Sequence, residues 1–168
     1  MKRVINPQES NRAEAFSMWM SSPMPMVTLA LPVDGKLYRY DRLAINVIVN
    51  NHNGGINSCD IPFSDDLQQF NRDYLELTAQ AARECKSSFL EDHMVIGTSA
   101  MIQTELDCIV NQYTDQFSNP MVMWGKYRHR LFKATLPVSF QFHHVQMDGG
   151  HAARFLQRIQ SEIYKMST

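Results

Sequence analysis

The chain has 168 residues, of which 44% are apolar and 20% are charged, and its formal net charge is −1, as is typical of one globular domain with a sizeable core. The charge balance, with no basic stripe, argues against nucleic acid as a partner, and no apolar run is long enough to cross a bilayer. The three cysteines are widely spaced and form no CxxC pair, and no apolar stretch follows the basic residues near the N-terminus. We therefore expect one domain over residues 1–168, with reduced thiols, no secretory signal and a cytoplasmic location.

The N-terminal third predicts a short helix, a β-hairpin and a further strand. Residues 10–20 are able to form the helix, which Pro23 and Pro25 would end. Asp34-Gly35 is a turn signal between two strand-like runs, and a Val/Ile-rich run follows it. The predicted strands are 26–31, 36–40 and 44–49, and a polar loop is predicted over 50–58.

The rest of the chain predicts two longer helices separated by strands. Residues 62–89 give the clearest helix, because apolar side chains recur at spacings of three and four and Ser64 is a plausible N-cap. Later apolar runs predict strands over 94–102, 106–110, 121–124 and 136–142, and a last helix begins near Gly150. Strands mixed with a few helices indicate an α/β or α+β fold.

The most informative stretch is His143-His144-Val145-Gln146-Met147-Asp148-Gly149-Gly150-His151, which joins the last predicted strand to the last helix. Histidine accepts protons near neutral pH, and an aspartate four residues later in a glycine turn would fix the loop that presents it. Strand alternation predicts that His144 shares the apolar face of Phe142 and projects into a sheltered cleft, whereas His143 points the other way.

Residue types alone leave three interpretations of this stretch open. The histidine at the strand end is a proton acceptor in group transfer, or it is a structural histidine, since motifs this short match often by chance. The third is a metal site, for which adjacent histidines that point apart suit tetrahedral zinc badly, so we expect no metal. Asp148 by itself fits a helix N-cap. The candidate metal ligands are His143, His144, Asp148 and His151.

The string HHxxxDG between a strand and a helix resembles the chloramphenicol acetyltransferase family. Gly125-Lys126-Tyr127 matches a turn of that family, residues 34–41 look like its Asp-Gly hairpin, and residues 12–16 are similar to its N-terminal helix. The resemblance implies an α/β fold, a two-layer α+β sandwich in which a long helix and a C-terminal helix pack on a mixed, mostly antiparallel sheet. It also implies that this single domain lacks a segment of the family near Asp34.

The resemblance further implies a function, namely CoA-dependent transfer of an acetyl group from acetyl-CoA to a hydroxyl of a small molecule, chloramphenicol-like or other. The family works as a homotrimer with its active sites between subunits. His144 matches its general base, and Asp148 matches its structural aspartate, which pairs with an arginine matched here by Arg12. An ungapped match puts Glu105 where the family has a serine that stabilises the oxyanion. Because a carboxylate would repel an oxyanion, Thr104 beside it is the candidate donor.

The alternative is a catalytically impaired homologue that keeps the fold and the trimer as a binding or regulatory protein. Three departures from the family favour it, namely the segment missing near Asp34, Glu105 at the serine position and Met123 in place of a threonine. Residues 20–26 differ from the family segment that contributes to the acceptor pocket, so the sequence leaves the identity of the acceptor open.

Overall fold

Ten strands and two helices lie in the residues that the computed structural model describes, which are 2–5, 30–33, 36–110, 118–131, 133–144 and 147–166. The helices are α1 (Leu67–Glu84) and α2 (Gly149–Met166). The strands are β1 (Lys2–Ile5), β2 (Ala30–Val33), β3 (Lys36–Tyr40), β4 (Leu43–Asn50), β5 (Ile56–Pro62), β6 (Met94–Met101), β7 (Met121–Gly125), β8 (Arg128–Arg130), β9 (Lys133–Thr135) and β10 (Val138–Gln141).

A five-stranded sheet in the order β10-β7-β6-β4-β5 forms the centre of the fold. The inner pairs β4–β6 and β6–β7 are parallel, and the outer pairs β4–β5 and β7–β10 are antiparallel. Strands β1, β3 and β2 form a small antiparallel sheet, and β8 pairs with β9. The described strand pairs are therefore mixed but mostly antiparallel, which confirms the predicted fold class.

Both helices pack on one face of the central sheet. Under α1, Cys59 and Ile61 of β5 are fully buried with Ala81 of the helix, and Val47 of β4 packs against them. At the other end of the sheet, Phe155 of α2 stacks on a ring of β10, with centroids 4.8 Å apart. The register places the residues that meet the two helices on the same side of the sheet, so the domain has two layers.

Helix α1 is shorter than predicted at both ends. Asp66, not Ser64, is its N-cap, and its side chain accepts a 2.9 Å hydrogen bond from the backbone N–H of Gln68. The helix ends at Cys85, which has a left-handed backbone with φ of 54°. The prediction began too early because Pro62 belongs to β5.

Strand β5 was not predicted, because a polar loop was expected over residues 50–58. The structure has a hairpin there, in which Asn51 Oδ1 accepts from the backbone N–H groups of Asn53 and Gly55 at 3.0 and 2.9 Å. Gly54 takes a φ of +79°, which suits glycine. Polar residues on one face of β5 hid the strand from apolar pattern matching.

Several other boundaries differ from the sequence predictions. The strand predicted over 106–110 is absent, because Leu106 packs its side chain over Gly125 instead of joining a ladder. Strands β1, β8 and β9 were not predicted. The predicted strands at 36–40, 44–49, 94–102, 121–124 and 136–142 are confirmed as β3, β4, β6, β7 and β10, within a few residues at their ends.

The helix predicted over 10–20 lies outside the described residues. Neither α1 nor α2 is long and apolar enough to span a membrane.

Candidate active site

The histidine pair lies just beyond the last strand of the sheet. Strand β10 ends at Gln141, opposite Met121 of β7, and Phe142 still packs on Phe140 with ring centroids 5.6 Å apart. Both His143 and His144 are exposed in the single chain. Because the strand stops before the pair, alternation does not fix the directions of the two rings, and in this chain alone His144 is not sheltered as expected.

Two anchors hold the chain directly after the histidines. Met147 is 4% exposed and packs in a core cluster with Met94 and Tyr40. Asp148 caps α2, since its Oδ1 accepts a 2.8 Å hydrogen bond from the backbone N–H of His151. The N-cap interpretation of Asp148 is thereby confirmed. The loop that carries His144 is thus held between a strand end and a capped helix start.

His151 also approaches Asp148 with its ring. Its Nδ1 lies 2.6 Å from Asp148 Oδ1, and its side chain is 18% exposed whereas that of Asp148 is 55% exposed. The pKa of Asp148 is lowered below its ordinary value, chiefly by the hydrogen bond from the His151 backbone; partial burial opposes this, and the charge and side chain of His151 reinforce it. The pairing of His151 with Asp148 was not predicted, although the position of His151 three residues after the cap is a signal for it.

Arg12 is the partner that the family resemblance predicts for Asp148. Arg12 lies outside the described residues, so the Arg12–Asp148 pair stays a prediction. In the described part of the chain, no three His, Cys, Asp or Glu side chains gather as metal ligands, and this includes the four candidates of the histidine stretch.

Thr104 and His144 lie at opposite ends of the strands of the central sheet. Its carbonyl accepts a 3.2 Å hydrogen bond from the backbone N–H of Lys126, and Gly125 donates to the carbonyl of Pro137, which precedes β10. His144 follows the far end of β10. At ~3.3 Å per residue, the length of β10 alone separates these two ends of the sheet by roughly 13 Å. One chain therefore does not bring Thr104 and His144 together.

Two further hydroxyl groups lie on the central strand β6. The hydroxyl of Thr98 donates a 2.8 Å hydrogen bond to the carbonyl of Asn46. Ser99 is half-buried on the face of the sheet opposite to the helices, in register with Met123 of β7 and, beyond it, Ser139 of β10. Ser99 is thus a second polar side chain that could serve chemistry on this sheet.

A cavity of about 330 Å³ opens at the end of the sheet where Thr104 lies. It is lined by Glu105, Lys126, Tyr127, Arg128 and His129. Arg128 Nη2 is 3.7 Å from Glu105 Oε2 and 3.3 Å from Asp107 Oδ1, so the carboxylate of Glu105 faces a guanidinium. The cavity therefore combines cationic and aromatic groups with a carboxylate that is already paired.

The family model for chloramphenicol acetyltransferase matches residues 25–160. The chain belongs to the chloramphenicol acetyltransferase family. Chloramphenicol acetyltransferase 3 of Escherichia coli is 31% identical over 104 residues, which are 59% of this chain and 48% of that protein. Chloramphenicol acetyltransferase 2 of Escherichia coli is 27% identical over 99 residues, 56% of this chain and 46% of that protein. The chain thus spans about half the length of these curated relatives.

Solved structures of acetyltransferases share the fold of this family member. A chloramphenicol acetyltransferase superposes with a TM-score of 0.65 at 16% identity, covering 96% of this chain and 99% of that one. The dihydrolipoamide acetyltransferase of Azotobacter vinelandii gives 0.58 at 14% identity, covering 95% and 77%. The cubic core of the pyruvate dehydrogenase multienzyme complex gives 0.59 at 15% identity, covering 94% and 76%. These likenesses confirm the fold expected from the histidine motif.

Proposed function

We propose that this chloramphenicol acetyltransferase family member is a CoA-dependent O-acyltransferase, which moves an acetyl group from acetyl-CoA to a hydroxyl of a small-molecule acceptor. The observation that carries the proposal is the His144 loop, in which an exposed histidine precedes a buried Met147 and a helix-capping Asp148. The proposal treats residues 1–168 as a single domain of the family that lacks a segment near Asp34.

His144 acts as the general base in this proposal. An imidazole nitrogen takes the proton of the acceptor hydroxyl while the oxygen attacks the thioester carbonyl. The tetrahedral intermediate then collapses, the C–S bond breaks, and the imidazolium returns the proton to the departing CoA thiolate. The products are the acetyl ester and free CoA, so the histidine ends in its starting state.

The active site combines two chains, as the resemblance to the family implies for a homotrimer. Support comes from the separation of the functional groups, because His144 and the cavity beside Thr104 lie at opposite ends of the strands of one sheet. A second copy of the chain, packed with the end of its sheet that carries His144 against the end that carries Thr104, would bring them together. The same packing would shelter the histidine, which is exposed in the single chain.

The cavity beside Thr104 suits one end of acetyl-CoA. Lys126 carries a positive charge, His129 gains one when protonated, and both line the cavity together with the ring of Tyr127. Phosphate groups bind such cations, and an aromatic ring offers a stacking surface for a base. A cavity of about 330 Å³ holds part of CoA, and the acyl end would extend towards Thr104.

The oxyanion donor in this proposal is the hydroxyl of Thr104, with Ser99 as the second candidate. Thr104 adjoins the cavity through Lys126, and Glu105 beside it is paired with Arg128, which reduces its repulsion of a developing negative charge. Ser99 has the support of lying on the central strand, half-buried. Removing such a donor typically lowers the rate by about 100-fold to 1,000-fold.

A non-catalytic binding or regulatory role is the second candidate. The observation that favours it is the carboxylate of Glu105 next to the predicted donor, together with Met123 buried in the sheet at a position that is polar in the family. A protein of this kind would keep the His144 loop for assembly and would not turn over acetyl-CoA.

One set of measurements separates the two candidates. Thiol release from acetyl-CoA is followed with chloramphenicol and with a panel of other hydroxylated acceptors, and binding of acetyl-CoA is measured by calorimetry. Acceptor-dependent thiol release that is lost in His144→Ala supports the transferase. Binding without release for every acceptor favours the binding protein, and neither binding nor release rejects the use of acetyl-CoA.

A further inference from the structure

We propose that His151 is a positioning residue for the base, because it holds Asp148 with both its backbone and its ring and thereby fixes the loop that presents His144. The inference rests on the proposed function for its catalytic consequence, but its geometry stands on the fold alone. His151 does not touch the reacting atoms in this scheme.

The contact between His151 and Asp148 is double. The backbone N–H of His151 donates to Asp148 Oδ1 at 2.8 Å, and the ring Nδ1 lies 2.6 Å from the same oxygen. An N-cap needs only the backbone bond, so the ring adds a second constraint on the carboxylate. One contact is a backbone hydrogen bond, and the other is an ion-pair contact when the ring is protonated, so both restrain the Asp148 carboxylate.

The ring of His151 is well placed for this task. Its side chain is only 18% exposed, and it lies on the first turn of α2, beside Ala152 in the core cluster. The exposed Lys165 and Glu162 form another i,i+3 ion pair in the same helix, at 2.8 Å, with side chains 67% and 56% exposed. Exposed pairs of that kind contribute little, because water screens them and the side chains lose entropy. The two pairs offer a comparison within one helix.

The path from His151 to the base is short. Three residues separate His144 from Asp148, and the last of them, Met147, is held in the core. If the carboxylate of Asp148 turns away, the start of α2 and the loop lose one of their two anchors. A displacement of a catalytic group by about 1 Å lowers rates by roughly 100-fold. The predicted Arg12 contact is compatible with this arrangement, since a carboxylate has a second oxygen.

Three variants test the proposal. His151→Ala removes the ring, His151→Asn places an amide N–H at the same number of bonds from the backbone as Nδ1, and Glu162→Gln is the matched control on the same helix. We expect His151→Ala to lower kcat by roughly 10-fold to 100-fold with little change in KM for acetyl-CoA. His151→Asn should recover most of kcat, and Glu162→Gln should leave it unchanged.

An activity-independent measurement accompanies the kinetics. Spectra of protein labelled with ¹⁵N-histidine report the ring environments of His144 and His151, and thermal unfolding reports that each variant is folded. We expect the His144 signal to change in His151→Ala and to return in His151→Asn. Should the wild type transfer no acetyl group while these spectral changes occur, the proposed function fails and the positioning contact stands. A folded His151→Ala variant with unchanged His144 signals, or with unchanged kcat, would overturn the proposal.

Discussion

The side-chain amide of Asn46 donates a 2.6 Å hydrogen bond to Asp60 Oδ1 across the β4–β5 pair. Asp60 is only 3% exposed, and its Oδ2 accepts a 2.9 Å bond from the backbone N–H of Leu90. The acid therefore ties the edge strand to its neighbour and to the segment after α1. This network lies on the face of the sheet opposite to the helices.

Asp60→Ala should destabilise the fold strongly. It leaves two donors without their acceptor, at a cost of about 1–3 kcal/mol for each buried group left unpaired. Chemical denaturation measures the loss, and Asp65→Ala, an exposed acid ahead of α1, serves as the control with a change of about 0.5 kcal/mol or less. A similar stability for both variants would show that the Asp60 network contributes nothing.

The three cysteines should differ in their reactivity towards thiol reagents. Cys59 is fully buried, and burial raises the pKa of its thiol, with the neighbouring charge of Asp60 adding to the effect. Cys108 is exposed. A chromogenic disulfide reagent should modify Cys108 quickly in the native protein, and Cys59 only after unfolding. Fast native modification of a Cys108→Ser, Cys85→Ser double variant would contradict the buried position of Cys59.

The sequence predicted the elements whose side chains alternate or recur regularly. It missed strands that are recognisable only from their hydrogen bonds to neighbouring strands. Strands β6, β7 and β10 carry apolar runs, and the cap at Asp148 follows from residue type and position alone. Strand β5 escaped because its Asn57, Ser58 and Asp60 are polar. These side chains hydrogen-bond to residues of β4 and of the segment after α1. The separation of Thr104 from His144 depends on strand register, which no local pattern in this chain encodes.

The contribution of Asp148 to stability should depend on pH in a defined direction. Its pKa is lowered in the folded chain, first by the backbone N–H of His151 and further by its ring, against the opposing effect of partial burial. An unfolded aspartate has a pKa of about 3.9, so the stabilisation is fully present above about pH 3.9 and is lost as pH falls through the lower folded-state value. The stability difference between wild type and Asp148→Asn should therefore be largest near neutral pH and vanish in acid. A difference that grows as the solution is acidified would contradict this assignment.

His144→Ala should abolish acetyl transfer while leaving the fold intact. The histidine is exposed in the single chain, so its removal disturbs no core packing, and loss of a general base lowers rates by roughly 100-fold to 10,000-fold. His143→Ala is the matched control, an exposed neighbour that the family resemblance does not assign as the base, and it should be much milder. Wild-type rates in folded His144→Ala, measured as thiol release, would remove His144 from the mechanism.

Mixed assemblies test whether one active site combines two chains. Lys126→Glu places a negative charge in the cavity beside Thr104, so it should raise the KM for acetyl-CoA strongly, whereas Lys86→Glu, which lies outside that cavity, should not. When Lys126→Glu and His144→Ala chains are co-expressed in equal amounts, about one quarter of the interfaces in a random trimer combine an intact cavity with an intact histidine. Activity should therefore return to about one quarter of the wild-type value at acetyl-CoA concentrations where each variant alone is inactive. A site contained in one chain predicts no recovery, because every chain in the mixture carries one of the two defects.

Light scattering on the wild type measures the oligomeric state directly. A monomer mass at micromolar concentration would exclude the trimer, and no recovery of activity would then be expected from mixing.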